Sequence, residues 1–189
     1  MKRVHPPSEL LEFAQVLAHA DKKCYLVGGA VRDYLIGREV SDFDVATDAR
    51  PEEVLGLYRR VIPTGIKHGT VTVLWKGLTI EATTFRTESE YADGRHPDKV
   101  EYAATIEEDL SRRDFTMNAM AFDLEARAFL DPHSGQEDIK RRLVRAVGDP
   151  LERFREDGLR PLRAIRFATQ LGFEIEAATL AAIAPSIDR

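Results

Sequence analysis

The stretch from Tyr25 to Thr47, YLVGGAVRDYLIGREVSDFDVAT, constrains the fold more than any other part of the chain. An apolar run, Tyr25-Leu26-Val27, stops at Gly28-Gly29, a pair that lets a backbone turn sharply and approach a ligand closely. Ala30 to Ile36 then predicts a short helix ended by Gly37. Asp42 to Ala46 predicts a second strand. Residues two apart on a strand share a face, so Asp42 and Asp44 are expected side by side. Two like charges that close raise one pKa unless a cation sits between them. A divalent metal that also binds phosphate oxygens suits such a pair. The stretch therefore joins a backbone cradle for phosphates to a seat for a metal. A lone DxD or a lone GG fits an ordinary turn equally well; the fixed order of the parts is what gives the pattern weight.

Other charged residues follow at informative places. Ser8 is placed to cap a first helix running to about Ala20, and Asp48 to cap a helix with Pro51 in its first turn. Thr70 to Trp75 and Leu78 to Phe85 alternate about Lys76-Gly77 and predict a hairpin. On the returning strand Leu78, Ile80 and Ala82 share one face, and Thr79, Glu81 and Thr83 the other. Glu81 is thus a carboxylate on a central-looking strand. It is either a third active-site carboxylate or the partner of an arginine such as Arg86. Arg86 to Val100 reads as a long polar loop, of the kind that is often functional. In Ser111 to Asp123, SRRDFTMNAMAFD, Arg112, Arg113, Asp114, Thr116 and Asn118 gather either at a site or at a charged helix end capped by Asp114.

From Leu151 the pattern turns helical. Pro161 predicts a kink or a fresh start near Asp157-Gly158. Leu162, Ile165 and Ala168 or Thr169 form an apolar side, and a last helix, Ala177 to Ala184, is expected to stop at Pro185. Asp157 and Arg160 lie three apart and so share a helix face. Together they offer an acceptor beside a fork of donors, which matches a base edge carrying an amine next to a ring acceptor, as in adenine and cytosine. The same pair suits a solvated ion pair. Arg163 and Arg166 continue in steps of three.

Composition bounds what such a chain can be. At 189 residues, 43% hydrophobic and 31% charged, it has the balance of an ordinary globular protein. Its one cysteine, Cys24, rules out an internal disulfide and suits a reducing compartment. No apolar run of signal-peptide or membrane-span length opens the chain, so a cytoplasmic protein without membrane contact is expected. The net charge of −5 is unevenly spread. Lys140 to Arg166 holds nine Lys or Arg against four Asp or Glu, a balance of +5 that leaves −10 elsewhere. Such a basic segment can hold a polyanion locally or form a solvated helix face. There is no GxxxxGK[ST] phosphate loop, and GGAVRD lacks the third glycine of a dinucleotide fingerprint.

Taken together, the motifs resemble the tRNA nucleotidyltransferase and bacterial poly(A) polymerase family, within the polymerase-beta-like nucleotidyltransferases. The family signature is similar to LVGGxVRDxLLGxxxxDxDxxT, from which this chain departs by little more than Ile36. RRDFTMNAMA resembles its second motif, and REDGLRPLRAIRF its ExDxxR-type templating motif, with Gly158 and Pro161 as departures. The resemblance implies an α/β head (residues 1–149) with a small mixed sheet flanked by helices, followed by the start of an all-helical neck (150–189). It implies addition of CMP and AMP from CTP and ATP to the tRNA 3′ end with release of pyrophosphate. Poly(A) synthesis, or addition of A alone or CC alone, is the nearest alternative, and a non-catalytic nucleotide- or RNA-binding module a distant one. In this reading Asp42 and Asp44 hold two Mg²⁺ ions and Glu81 orients the hydroxyl. Gly28, Gly29 and Arg32 face the triphosphate, and Arg113 and Asn118 the nucleotide. Asp157 and Arg160 select the base, with Arg163 and Arg166 in support. Family members continue through neck, body and tail, so this chain is expected to end just inside the neck, with an intact head and a weak grip on tRNA. A flexible loop of the family falls near Arg86 to Val100.

Overall fold

The computed structural model describes residues 3–89 and 99–187. In chain order the elements are α1 (Ser8–His19), β1 (Cys24–Val27), α2 (Gly29–Ile36), β2 (Phe43–Thr47), α3 (Pro51–Leu57), β3 (Val61–Gly65), β4 (Thr70–Trp75), β5 (Leu78–Thr84), β6 (Arg86–Ser89) and β7 (Lys99–Tyr102). They continue with α4 (Ile106–Ser111), β8 (Ala121–Asp123), β9 (Phe129–Leu130), α5 (Gly135–Arg141), β10 (Leu143–Val144), α6 (Pro150–Glu156), α7 (Arg160–Leu171), β11 (Glu174–Ile175) and α8 (Ala177–Ile187). Seven strands form one mixed sheet in the order β3-β4-β5-β2-β1-β8-β9. Only β2 and β5 run parallel within it. This is the mixed, helix-flanked α/β sheet expected from the sequence.

The two faces of the sheet differ. Phe43, Val45, Val71, Val73, Ile80 and Ala82 point into the main core, where α1 contributes Leu10, Phe13 and Leu17. Phe13 stacks on Tyr58 there at 4.5 Å, and Trp75 meets the two rings edge-on at 6.4 and 5.5 Å. The opposite face is covered at one end only, where Ile106 and Leu110 of α4 pack with Tyr25, Val27, Ala46 and Phe85. Toward β5, β4 and β3 that face is open: Asp44, Thr79, Glu81 and Leu74 are exposed along it. β1 is buried along its whole length. Burial pushes the thiol of Cys24 well up, so it stays a neutral, inert thiol.

Several local expectations are corrected. Pro7, not Ser8, occupies the first cap position, and the Ser8 hydroxyl donates to Glu9. Asp48 accepts from the Lys23 amide, while Arg50 and Glu53 cap α3. Part of the supposed polar loop is strand: β6 and β7 pair antiparallel. Their RTES and KVEY sequences have too few apolar residues to show it. The centre of that segment, residues 90–98, lies outside the described residues. α8 continues through Pro185 to Ile187, because a proline near a helix end removes a single donor.

The largest correction concerns α7. Its expected apolar side is its outer side, with Leu162 57% and Ile165 45% exposed, while Arg160, Pro161, Ala164 and Phe167 are buried. Arg160 is drawn inward because its acceptors lie there: the Glu156 carboxylate and the carbonyls of Arg153 and Arg112. Phe154, Ala164, Phe167, Ala182 and Ile183 belong to the same core as the sheet. β10 and β11 pair in parallel, and the buried Thr179 hydroxyl accepts from the Ala146 amide.

Gly135 marks where α5 meets the 3₁₀ turn at Thr116–Asn118. A Cβ there would stand 2.2 Å from the Thr116 carbonyl oxygen. The space is further fixed by the Thr116 hydroxyl, which donates to buried Asp138 at 2.6 Å. Gly135→Ala is therefore expected to cost about 1–3 kcal/mol or more, read as a lower midpoint of urea unfolding.

Candidate active site

Asp44 and Glu81 are direct partners in the parallel pairing of β2 with β5. Adjacent strands lie about 4.8 Å apart, so two carboxylates stand side by side on the open face. Thr72 of β4 continues the row beyond Glu81. Asp42 precedes β2 and lies outside its ladder, so the DxD pair is one strand residue and one residue of the approach to it. Partial burial pushes the Asp44 carboxyl above the usual carboxylate range; Glu81 and Asp42 push the same way and Arg113 opposes them. Among the described residues, neither Asp42 nor Asp44 has a hydrogen-bonding or ion-pairing partner.

This is a cluster of hard oxygen donors whose charge Arg113 offsets only in part. No group of three or more His, Cys, Asp or Glu among the described residues is gathered tightly enough to hold a metal ion by itself. Mg²⁺ does not need such a cage: it takes one or two carboxylates and completes its shell with water and substrate phosphates. The donor set fits that ion.

Beside Asp44 opens a cleft of about 680 Å³. Gly28 and Gly29 form one wall, and α7 contributes Arg160, Arg163 and Phe167 to another. Gly28 has φ 67° and ψ −134°, a backbone state that side chains rarely adopt. A Cβ on it would come within 3.1 Å of Arg113 Nη1. Gly28→Ala should cost about 1–3 kcal/mol in strain and displace that guanidinium, read together as a lower melting temperature and weaker nucleotide binding.

The cleft's cations are held by acids behind them. Arg112 and Arg113 both donate to Asp109, which is 1% exposed. Burial alone would raise the Asp109 carboxyl, but the Arg113 and Arg112 guanidiniums outweigh it and hold it below the usual range. Arg113 Nε is buried without a hydrogen-bond partner among the described residues. Arg32, 8% exposed, clasps Asp33 and donates from Nη1 to Asn118 Oδ1 at 2.8 Å. Asn118 in turn donates to Asp114 at 3.2 Å, and Asp114 accepts from Arg163 at 2.8 Å. A continuous chain, Arg32–Asn118–Asp114–Arg163, thus runs from α2 to α7. Asp114 accepts from the Phe115 amide but caps no helix.

Most of the residues singled out in the sequence line this cleft: Gly28, Gly29, Arg32, Asp44, Arg113, Asn118, Asp157, Arg160 and Arg163. Two details differ. Asp157 and Arg160 do not share a helix: Asp157 sits in the break between α6 and α7, where it accepts from the Leu159 amide. Gly158 and Pro161 start a new helix at Arg160, whose ion partner is Glu156. Asp42, Glu81 and Arg166 do not line the cleft; Arg166 is exposed with its guanidinium 5.0 Å from the Phe167 ring. Each step of three falls about 60° short of a full helical turn, and two steps carry Arg166 off the face of Arg160. Phe167, ringed by Arg32, Arg163 and Arg166 at 5.0 to 5.4 Å, and Asp109 went unmarked in the sequence. Each reads there as an ordinary helix residue.

Residues 24–145 match the family described as the Poly A polymerase head domain. The chain belongs to that family. This head-domain protein is 51% identical over 179 residues to the CCA-adding enzyme of Geobacillus kaustophilus (strain HTA426), covering 94% of this chain and 44% of that one. It is 53% identical over 169 residues to the CCA-adding enzyme of Lactobacillus helveticus (strain DPC 4571), covering 89% and 42%. Among solved structures it is similar to the Bacillus stearothermophilus CCA-adding enzyme in complex with CTP, with TM-score 0.87, 45% identity and coverage of 95% and 43%. A tRNA nucleotidyltransferase complexed with a primer tRNA and an incoming ATP analog gives TM-score 0.75, 31% identity and coverage of 93% and 49%. The head-domain protein spans less than half the length of these relatives.

Proposed function

We propose that the chain is the catalytic part of a template-independent RNA nucleotidyltransferase that adds CMP and AMP from CTP and ATP to a tRNA 3′ end, releasing pyrophosphate. The observation that carries this is the pairing of Glu81 with Asp44, which itself lines a guanidinium-rich cleft. Relatives named CCA-adding enzymes support the choice of reaction. Residues 1–149 would form the head and 150–189 the beginning of the neck. Among the described residues no helix is long and apolar enough to cross a membrane; a cytoplasmic site of action is part of the proposal.

In this mechanism Gly28 and Gly29 let the backbone approach the triphosphate, and Arg113 and Arg32 set positive charge against its oxygens. Asp42 and Asp44 would hold the two Mg²⁺ ions, which when bound supply charge neutralisation and a lowered pKa for the attacking hydroxyl. Glu81 accepts from that hydroxyl and orients it toward the α-phosphorus. Asp157, whose second carboxylate oxygen has no partner among the described residues, accepts from the exocyclic amine of cytosine or adenine. Arg160, whose Nε–H has no partner among the described residues, donates to the base beside it. Arg163, and from farther off Arg166, support this pair. The test is incorporation of labelled CTP and ATP, each alone and together, into tRNA lacking its CCA end, with and without Mg²⁺. The proposal expects Mg²⁺-dependent addition requiring both nucleotides for the full end. Long A tails from ATP alone would instead favour poly(A) synthesis, and no incorporation would leave a binding module.

A further inference from the structure

The row of carboxylates divides the open face of the sheet into two flanks. On one flank lies the next row, Ala46, Thr83 and Thr70, whose Thr70 lines the cleft. The cleft also reaches across the row to β1, where the register carried past Val27 sets Gly28 beside Phe43 and Gly29 beside Asp42, and Arg113 Nη1 stands 3.1 Å from the Cβ position of Gly28. On the other flank lies Thr79 paired with Leu74, and beyond it the edge strand β3. Ile62 pairs with Thr72, and the Leu74 amide donates to the Arg60 carbonyl, which carries the β3–β4 register back to Arg60. Arg60, Ile62, Leu74 and Thr79 therefore share the face of Asp44 and Glu81. Ile62 is 44% and Leu74 40% exposed, and Arg60 is exposed without a side-chain partner among the described residues.

Two large aliphatic side chains are bared beside a catalytic-type carboxylate row and belong to neither hydrophobic cluster of the described chain. Their position matches a geometric need of the reaction. Phosphoryl transfer places the attacking and leaving oxygens roughly in line, with the phosphorus between them. A triphosphate held at Gly28 and Gly29 lies at the β1 end of the carboxylate row, with Arg113 beside it. The attacking hydroxyl then arrives from the opposite end of the row, over β5 and β4, where Thr79 and Leu74 are exposed. Glu81 and Leu74 are diagonal neighbours across β5 and β4, about 7–8 Å apart, a separation that one nucleoside bridges. An aliphatic surface accepts the face of any base, a threonine hydroxyl suits a ribose, and an unpaired arginine suits a backbone phosphate.

We propose that the surface formed by Ile62 and Leu74, with Thr79 and Arg60 at its edges, receives the 3′-terminal nucleoside of the single-stranded RNA acceptor and aims its hydroxyl at the carboxylates. This rests on the transferase reading and adds the residues that seat the second substrate. The site reads no sequence, since it offers stacking surface and charge rather than paired donors and acceptors for a base edge.

The test uses the whole chain with a short single-stranded RNA acceptor ending in a free 3′-hydroxyl. Leu74→Glu and Ile62→Ser sit at exposed positions, and Leu74→Ala is the milder control for folding. Each is expected to raise the acceptor KM, by about tenfold for Leu74→Glu, while the KM for CTP or ATP stays within about twofold. An unchanged acceptor KM in both Leu74→Glu and Ile62→Ser overturns the proposal, as does an equal rise in both KM values. A second arm crosslinks an acceptor carrying a photoreactive 3′-terminal base. Adducts within residues 60–79 support the site, and adducts only elsewhere overturn it. A chain that incorporates no nucleotide defeats the transferase reading instead, and the crosslink then still decides whether this surface holds an RNA end.

Discussion

Asp44→Asn is expected to abolish nucleotide incorporation, by at least about a thousandfold, while raising the melting temperature in metal-free buffer at neutral pH. Both effects follow from one arrangement. Asp44 stands against Glu81 and near Asp42, and Arg113 offsets that charge only in part, since the Asp44 carboxyl is still held above the usual carboxylate range. The folded protein therefore bears a repulsion that an amide removes. Mg²⁺ removes it differently, so added Mg²⁺ should raise the melting temperature of the unaltered chain and leave the variant nearly unmoved. A variant that loses activity and also stability would show that Asp44 is a structural acid. A variant that keeps activity would end the assignment of this cluster to chemistry.

Asp109→Asn is expected to be the most costly change near the cleft. Its carboxylate is buried and shared by Arg112 and Arg113, and it lies 3.3 Å from the Arg86 amide. Removing one partner of a buried ionic group costs about 3–5 kcal/mol, because the remaining charges stay out of water without compensation. Chemical denaturation reads this as a lower midpoint at unchanged slope. The sign with pH is fixed by the depressed carboxyl of Asp109. Its contribution is complete above the ordinary aspartate range and is lost as pH falls through its lowered pKa. The unaltered chain should thus lose stability in acid faster than Asp109→Asn does, and the two curves should converge at low pH. Incorporation should fall as well, since Arg113 loses the acid that aims it.

The strand–Gly-Gly–helix–strand unit and the β4–β5 hairpin were legible because each combines a hydrophobic period with a residue that ends it. Glu81 could be placed on the polar face of its strand by alternation alone. Its being the partner of Asp44 could not, because a parallel pairing between strands more than thirty residues apart leaves no local trace. The acids behind the arginines were hidden for a similar reason. Asp109 looks like any acidic residue of a short helix until the fold buries it. The α7 face was misread because apolar spacing names the side that could be buried, and here a guanidinium with three protein acceptors took that side. Asp157 shows the limit of helical spacing: three residues apart means one face only if no helix break intervenes, and Gly158 and Pro161 supply one.

The common interior of sheet and C-terminal helices has a practical outcome for anyone dividing this polypeptide. Cutting after Asp149 would strip Phe154, Ala164, Phe167 and Ile183 from the side chains they press on, and would leave Asp114 without Arg163. The piece ending there should be sticky and poorly ordered, even though the pairing of its seven strands would be complete on paper. The helices after that cut hold the floor of the molecule in place as well as bordering its mouth.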